Sequence, residues 1–148
     1  MKFRKNVALI LTRSEGGILI CERAGAPGSW QFPQGGCKSD EKPEAALRRE
    51  VEEEISLGPD RYEVEDCRGP YRYLFPEGVK KGGCDGQEQL YFLAQLLDGA
   101  DGEIRVDGRE FRAFRWIAPA AFSLDWLPSF KREVYQAVFR DFFGIVLE

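Results

Sequence analysis

Three glutamates, Glu50, Glu53 and Glu54, stand three and four residues apart in a stretch that reads as one helix. On a wheel of about 100° per residue they share one arc. Beside them runs a narrow apolar stripe, Leu47, Val51 and Ile55, suited to packing on a sheet, while Arg48 and Glu52 are expected to face water. Like charges at these spacings cost a helix about 0.2–0.5 kcal/mol per pair, and Arg49 relieves only part of that. A hard divalent cation offsets the rest, because Mg²⁺ favours oxygen ligands in octahedral geometry and works beside substrate phosphates. Taken alone, the three glutamates also fit a solvated, charge-rich surface helix. What sets them apart is the complete spacing around them. Gly35 and Gly36 precede the helix and let backbone approach a phosphate closely, and Glu41 sits where the loop can fold back over it.

The chain has no histidine. The usual neutral-pH general base is therefore missing, and acid–base chemistry falls to Glu, Asp, Lys, Tyr or a metal-bound water. Cys21, Cys37, Cys67 and Cys84 show no C-x-x-C spacing, which argues against zinc and against a cysteine–histidine nucleophile. So few cysteines in 148 residues point to reduced thiols in a cytoplasmic protein rather than a disulfide framework. Lys and Arg number 21 against 25 Asp and Glu, a formal charge of −4. A protein that grips nucleic acid nonspecifically is usually basic, so any RNA contact must be a small basic pocket reading one end. Sequence-specific DNA binding is not expected, for want of a basic recognition helix. The apolar run Val7 to Leu11 is too short for a signal segment or a membrane span.

These residues need a scaffold to hold them. Residues 4–12 and 17–22 are apolar runs separated by Arg13-Ser14-Glu15-Gly16 and read as a β-hairpin. Trp30-Gln31-Phe32 reads as a short strand, followed by a helix from about Pro43 to Ile55, where proline suits the first turn. Tyr62 to Leu74 and Gln89 to Leu97 have strand character, with a polar loop carrying Lys80 and Lys81 between them. Asp98 to Gly108 reads as a turn-rich excursion around another short strand, and Phe111 to Ile117 as a strand. A C-terminal helix opens at Pro128-Ser129 with Ser129 as N-cap. Its residues Val134, Val138 and Phe142 recur at spacing four and should face the core. One mixed α/β domain over residues 1–148, with a central sheet between helices, accommodates all of this.

The spacing Gly35, Glu41, Arg49, Glu50, Val51, Glu53, Glu54, Leu57 resembles the Nudix box, G-x₅-E-x₇-R-E-U-x-E-E-x-G-U with U a bulky apolar residue. Only Ser56 departs, standing where the box has glycine. Glycine there helps end the helix, so a slightly different C-cap is expected, with the chemistry intact. The likeness continues in Ser29 to Gly36, Gly86-Gln87-Glu88-Gln89, Glu110-Phe111 leading to Trp116, and Ser129 to Tyr135. These segments are similar to those of bacterial RNA pyrophosphohydrolases and plant-type diadenosine tetraphosphate hydrolases. The resemblance implies an α/β; Nudix-type α/β/α sandwich with mixed central sheet, a cluster of Mg²⁺ ions (Mn²⁺ as substitute), and attack of water on phosphorus.

It also implies roles. Glu50, Glu53, Glu54 and Glu110 become metal ligands or base, with Gly35 in the metal set and the choice of base open between Glu50 and Glu110. Glu41 and Arg49 form an ion pair that, with Gly35 and Gly36, orients the site. Arg4, Arg23 and Lys131 match basic positions near the polyphosphate. Related sequences often have two consecutive arginines where this chain has Arg23-Ala24, so one phosphate contact is lost. Phe130 resembles a base-stacking residue, with Tyr73 as a second platform and Gln87 among the substrate contacts. Tyr135, Phe139 and Phe143 are assigned to packing.

The activity implied is release of pyrophosphate from 5′-triphosphorylated RNA, with cleavage of diadenosine tetraphosphate to ATP and AMP as the alternative. Smaller nucleotides come third. A non-catalytic, nucleotide-sensing Nudix domain is the reading of another class, and such domains typically lose a box glutamate, which this chain has not. No membrane partner is expected, and the oligomeric state is left open.

Overall fold

In a computed structural model that describes residues 1–148, the longest apolar run becomes the central strand. Strand β1 (Phe3–Thr12) pairs in parallel with β6 (Gly86–Leu96), from Phe3 opposite Gly86 to Thr12 opposite Gln95. On its far side β6 pairs antiparallel with β5 (Tyr62–Leu74). Strand β2 (Ile18–Arg23) pairs antiparallel with β7 (Phe111–Ile117). The expected β1–β2 hairpin closes only at its mouth, where Thr12 faces Ile18. Beyond that the strands part, and the opening is filled by β3 (Trp30–Gln31) on β2 and β4 (Gln34–Gly36) on β1. The wedge brings the Gly35-Gly36 backbone to the edge of the sheet, which is where the site needs it.

Both faces of the mixed sheet are covered, so β1 is apolar without alternation although its side chains alternate. Val7, Leu9 and Leu11 point to one core with Leu47, Val51 and Ile55 of helix α1 (Pro43–Ile55). Ala8 and Ile10 point to the other, with Val134, Val138 and Phe139 of helix α2 (Ser129–Phe143). Each Val, Leu, Ile or Phe among them, fully buried, contributes about 1.5–3 kcal/mol of apolar transfer. Phe142 is only partly buried at the margin of that core. Phe32 and Tyr135 stack at 5.4 Å and 8° between ring planes, and the Phe32 N–H donates to the Tyr135 hydroxyl at 3.0 Å. Tyr135 thus packs as expected and also ties the Trp30-Gln31-Phe32 segment to α2. The four cysteines are unpaired, and no helix is long and apolar enough to cross a membrane.

Two expectations are corrected. Asp98 to Gly108 holds no strand but a single 3₁₀ turn, Ala100–Glu103. Its following backbone bonds to the end of α1 instead of to the sheet: Arg105 N–H to the Ile55 carbonyl at 3.0 Å and Asp107 N–H to the Glu54 carbonyl at 3.1 Å. Those carbonyls would otherwise be orphaned, so the segment caps a helix. Ser129 is not the N-cap of α2. Pro128 holds that position in extended conformation, no side chain caps the helix, and Ser129 is its first residue.

Candidate metal and phosphate site

The arc of glutamates on α1 is graded by depth. Glu54 is 4% exposed, Glu50 is half-buried and Glu53 projects into solvent. Oxygen Oε1 of Glu54 is buried with no hydrogen-bond partner. Burial above all, then the charges of Glu50, Glu110 and Asp107, push its carboxyl up to about 9. Burial also raises Glu50, against the pull of Arg49. Glu110 reaches the cluster from the loop before β7. That loop is shaped by Asp107, whose Oδ1 accepts from the N–H groups of Arg109, Glu110 and Phe111 at 3.2, 3.0 and 3.1 Å. Glu50, Glu53, Glu54, Asp107, Arg109 and Glu110 together line one depression with no apolar wall.

Arg49 and two glycines hold this wall in place. Arg49 donates a fork to Glu41 (2.8 and 2.8 Å), a third bond to the Gly36 carbonyl (3.0 Å) and a fourth to Glu50 (2.9 Å). Glu41 also accepts from Lys38 N–H at 3.0 Å. These bonds, led by Arg49, hold the Glu41 carboxyl down to about 2. A Cβ at Gly35 would overlap the Glu50 carboxyl, and one at Gly36 would overlap the Arg4 guanidinium. Glycine at both lets these side chains lie close against the backbone, and neither serves a turn. Arg49 bonds Glu50 and stands 3.5 Å from Glu53, and no three carboxylates meet around one point as the side chains stand. The donor set is nevertheless all oxygen, and a buried acceptor lacking a partner beside like charges fits a hard divalent cation.

The facing wall is basic and aromatic. Arg4, Arg23, Tyr73, Gln87, Phe130 and Lys131 line a cleft of about 240 Å³ together with Gly35, Gly36, Glu50, Glu54 and Glu110. Lys131 lies 9% exposed and donates to Gln31 Oε1 at 3.3 Å. Burial, then the charges of Arg23 and Lys81, push its ammonium down to about 8. Tyr73 and Phe130 stand 5.6 Å apart at 42°. Tyr73 is buried between Phe130 and Phe75, and its hydroxyl accepts from Gln87 Nε2 at 2.7 Å. It therefore backs Phe130 and presents little free face of its own. Gln87 Oε1 is buried without a partner.

Of the residues singled out from sequence, Glu53, Glu41 and Arg49 stand outside the cleft, Glu53 in the adjoining depression and the other two behind it. Sequence reasoning passed over Asp107, Gln34, Lys81 and the Gln89 amide. Gln89 donates to Asn6 (2.9 Å) and Gln34 (2.6 Å) beneath the cleft and accepts from Tyr91 (3.2 Å). A signal existed: Gln87 and Gln89 are polar residues two apart, on one face of a strand whose middle, Leu90 to Ala94, is apolar. For Asp107 the signal was the Asp-Gly turn pair it begins.

Helix carboxylates and basic side chains lining one cleft can hold a divalent cation beside a polyphosphate. Residues 2–138 match the family model described as NUDIX domain, and the chain belongs to the Nudix family. It is 40% identical over 154 residues to the RNA pyrophosphohydrolase of Hahella chejuensis, covering 99% of this chain and 94% of the relative. To that of Cellvibrio japonicus it is 40% identical, covering 94% and 85%. The fold is that of an E. coli dihydroneopterin triphosphate pyrophosphohydrolase (TM-score 0.69, 18% identity, 93% and 97% covered). A C. elegans Ap4A hydrolase shares it too (TM-score 0.62, 18% identity, 78% and 80% covered).

Proposed function

We infer that this chain removes pyrophosphate from the 5′ end of triphosphorylated RNA, leaving a 5′-monophosphate end, with Mg²⁺ as cofactor and Mn²⁺ able to replace it. The observation that carries this is the mixed lining of one cleft. Glu50, Glu54 and Glu110 line it together with Arg4, Arg23, Lys131 and the Tyr73–Phe130 pair. The curated relatives that match nearly the whole chain bear the same activity in their names. A net charge of −4 accords with recognition of an RNA end rather than a long grip on its backbone.

In this reading Glu50, Glu53, Glu54 and Glu110, with the Gly35 carbonyl, hold the cation. When bound, the cation supplies Lewis acidity toward phosphoryl oxygen and toward water. Arg4, Arg23 and Lys131 hold the polyphosphate in line and balance its charge. Phe130 stacks the first base, which any nucleobase allows, and Gln87 Oε1 accepts an N–H or O–H of the nucleoside. The proton of the attacking water passes to Glu50 or Glu110. Arg49 and Glu41 take no part in the chemistry; they keep Glu50 and the Gly36 backbone where the phosphates come. Reduced cysteines suit a cytoplasmic setting.

The test is to incubate wild type and Glu53→Gln with Mg²⁺ and, in parallel, 5′-triphosphorylated RNA and diadenosine tetraphosphate, following products. Wild type is expected to release pyrophosphate from the RNA, and the variant to be nearly inactive on both substrates. A clear preference for diadenosine tetraphosphate would replace the RNA reading with the dinucleoside polyphosphate one. No cleavage of either across pH and metal would sink both, and bring forward a smaller nucleotide or a nucleotide-sensing role.

A further inference from the structure

One cation in the cleft is used neither by the fold nor by the polyphosphate reading. Lys81 sits at the tip of the hairpin loop joining β5 and β6, its backbone exchanging bonds with Cys84 at 3.2 and 2.9 Å. Between them Gly82 and Gly83 have φ of 56° and 76°, the paired left-handed conformation of a tight two-residue turn. The loop's base is tied down: Phe75 N–H donates to the Asp85 carbonyl (2.9 Å), Lys80 pairs with Asp85 (3.4 Å) and Lys2 N–H donates to Asp85 (3.0 Å). The backbone of Lys81 is therefore held while its side chain stays exposed. Unlike Lys80, it has no carboxylate within ion-pair distance; its ammonium rests 5.3 Å from the centre of the Phe75 ring.

Position then suggests the ligand. Lys81 and Phe75 border the same cleft as the carboxylates. From Phe130 the aromatic row runs to Tyr73 at 5.6 Å and on to Phe75 at 6.0 Å, with Lys81 at its far end. In a triphosphorylated RNA the scissile phosphates lead to the first nucleoside, and the next charged group is the phosphodiester on its 3′ oxygen. With Arg4, Arg23 and Lys131 given to the polyphosphate, Lys81 is the remaining cation lining the cleft for that phosphodiester. Diadenosine tetraphosphate has only a 3′-hydroxyl there.

We propose that Lys81 binds the phosphodiester 3′ of the first nucleotide, and is thereby the residue through which this cleft favours an RNA end over a free nucleoside polyphosphate. The proposal rests on the RNA 5′-end reading above. The local charge balance supports it. Beyond the effect of burial, Arg23 and Lys81 stand close enough to Lys131 to depress its ammonium, with Glu110 opposing them. A second anionic group beyond the polyphosphate relieves that excess.

Steady-state kinetics of wild type, Lys81→Ala and Lys81→Arg on a 5′-triphosphorylated oligonucleotide and on diadenosine tetraphosphate test this. For the oligonucleotide, Lys81→Ala should raise KM about fivefold with kcat kept, the scale of one exposed ion pair. The slope of log KM against log salt should fall by about 0.7, the value for one single-strand phosphate contact. Diadenosine tetraphosphate kinetics should not change, and Lys81→Arg should restore the oligonucleotide KM. An equal loss on both substrates would assign Lys81 to the polyphosphate and overturn the proposal, as would no change on either. If wild type itself leaves the oligonucleotide uncut, the RNA reading fails and takes this proposal with it.

Discussion

Glu50, Glu53 and Glu54 come from a single helix, and Glu110 from a loop whose backbone is bonded to that helix's end. The facing wall takes Arg4 from β1, Arg23 from β2, Tyr73 from β5, Gln87 from β6, and Phe130 and Lys131 from α2. The acidic wall is therefore one local unit whose members repel each other and share Arg49, so changes within it should be strongly non-additive. The basic and aromatic wall is gathered from five elements, only Phe130 and Lys131 sharing one. Losses there should be smaller, more nearly additive, and confined to substrate binding.

The sharpest way to break this contrast is Glu54→Gln. Activity should fall on the order of 10²–10³-fold, the scale of losing one group that stabilises transition-state charge, while the metal-free protein should gain stability at alkaline pH. The sign follows from the raised carboxyl. In the fold Glu54 titrates at about 9 against an ordinary value of 4.5, so the native state holds a proton that the unfolded chain releases. That contribution is fully present below the ordinary value and is lost as pH climbs from there toward 9. Thermal unfolding in chelator should show wild type weakening across that window and Glu54→Gln staying flatter. Mg²⁺ should restore wild type at pH 8 and leave the variant unmoved. Parallel pH profiles for the two proteins would mean that Glu54 is not the conflicted group.

On the facing wall the informative change is Phe130→Ala. Stacking is worth about 1–3 kcal/mol per base, so KM should rise severalfold to a hundredfold with kcat little altered, and Phe130→Trp should keep KM near wild type. A fall in kcat as large as that of Glu54→Gln would show that the two walls are not separable. Because Tyr73 backs Phe130, an unfolding measurement on the alanine variant separates lost stacking from a collapsed wall.

The same contrast explains what could be read from sequence. Glu50, Glu53 and Glu54 were legible because helical spacing alone places them on one arc beside Leu47, Val51 and Ile55, and the structure buries that stripe. Helix α1 was legible for the same reason, periodicity within one segment, and strand β1 as a local apolar run. The grading of the glutamates was not: Glu54 is sealed in because the Asp107 loop closes over the helix end, a contact between residues far apart in sequence. Nor was the wedge of β3 and β4 between β1 and β2, which turns an expected hairpin into two diverging strands. Lys81 was visible only as a charge in a polar loop, since nothing local says where a hairpin tip points. The misplaced strand at residues 98–108 failed because its backbone finds partners on α1, not on a neighbouring strand.

The joint between the helix and its loop gives the smallest test. Ser56 ends α1 with φ of 61°, the left-handed conformation that glycine would adopt there, so the cap geometry is not the altered one anticipated from its side chain. Its hydroxyl donates to the Arg105 carbonyl at 3.0 Å. A left-handed non-glycine residue costs about 1–2 kcal/mol, glycine's greater freedom when unfolded costs about 0.4–1 kcal/mol, and an exposed hydrogen bond returns about 0.5 kcal/mol. Ser56→Gly should therefore fall within about 1 kcal/mol of wild type by these terms. Ser56→Ala keeps the strained backbone and loses the bond, so it should melt below both. If the hydroxyl also steadies the loop that carries Glu110, both variants should lose some kcat, since both lack it and both keep the bonds to the Ile55 and Glu54 carbonyls. An alanine variant that melts with wild type would remove Ser56 from the joint and leave the backbone bonds of Ile55 and Glu54 to hold it.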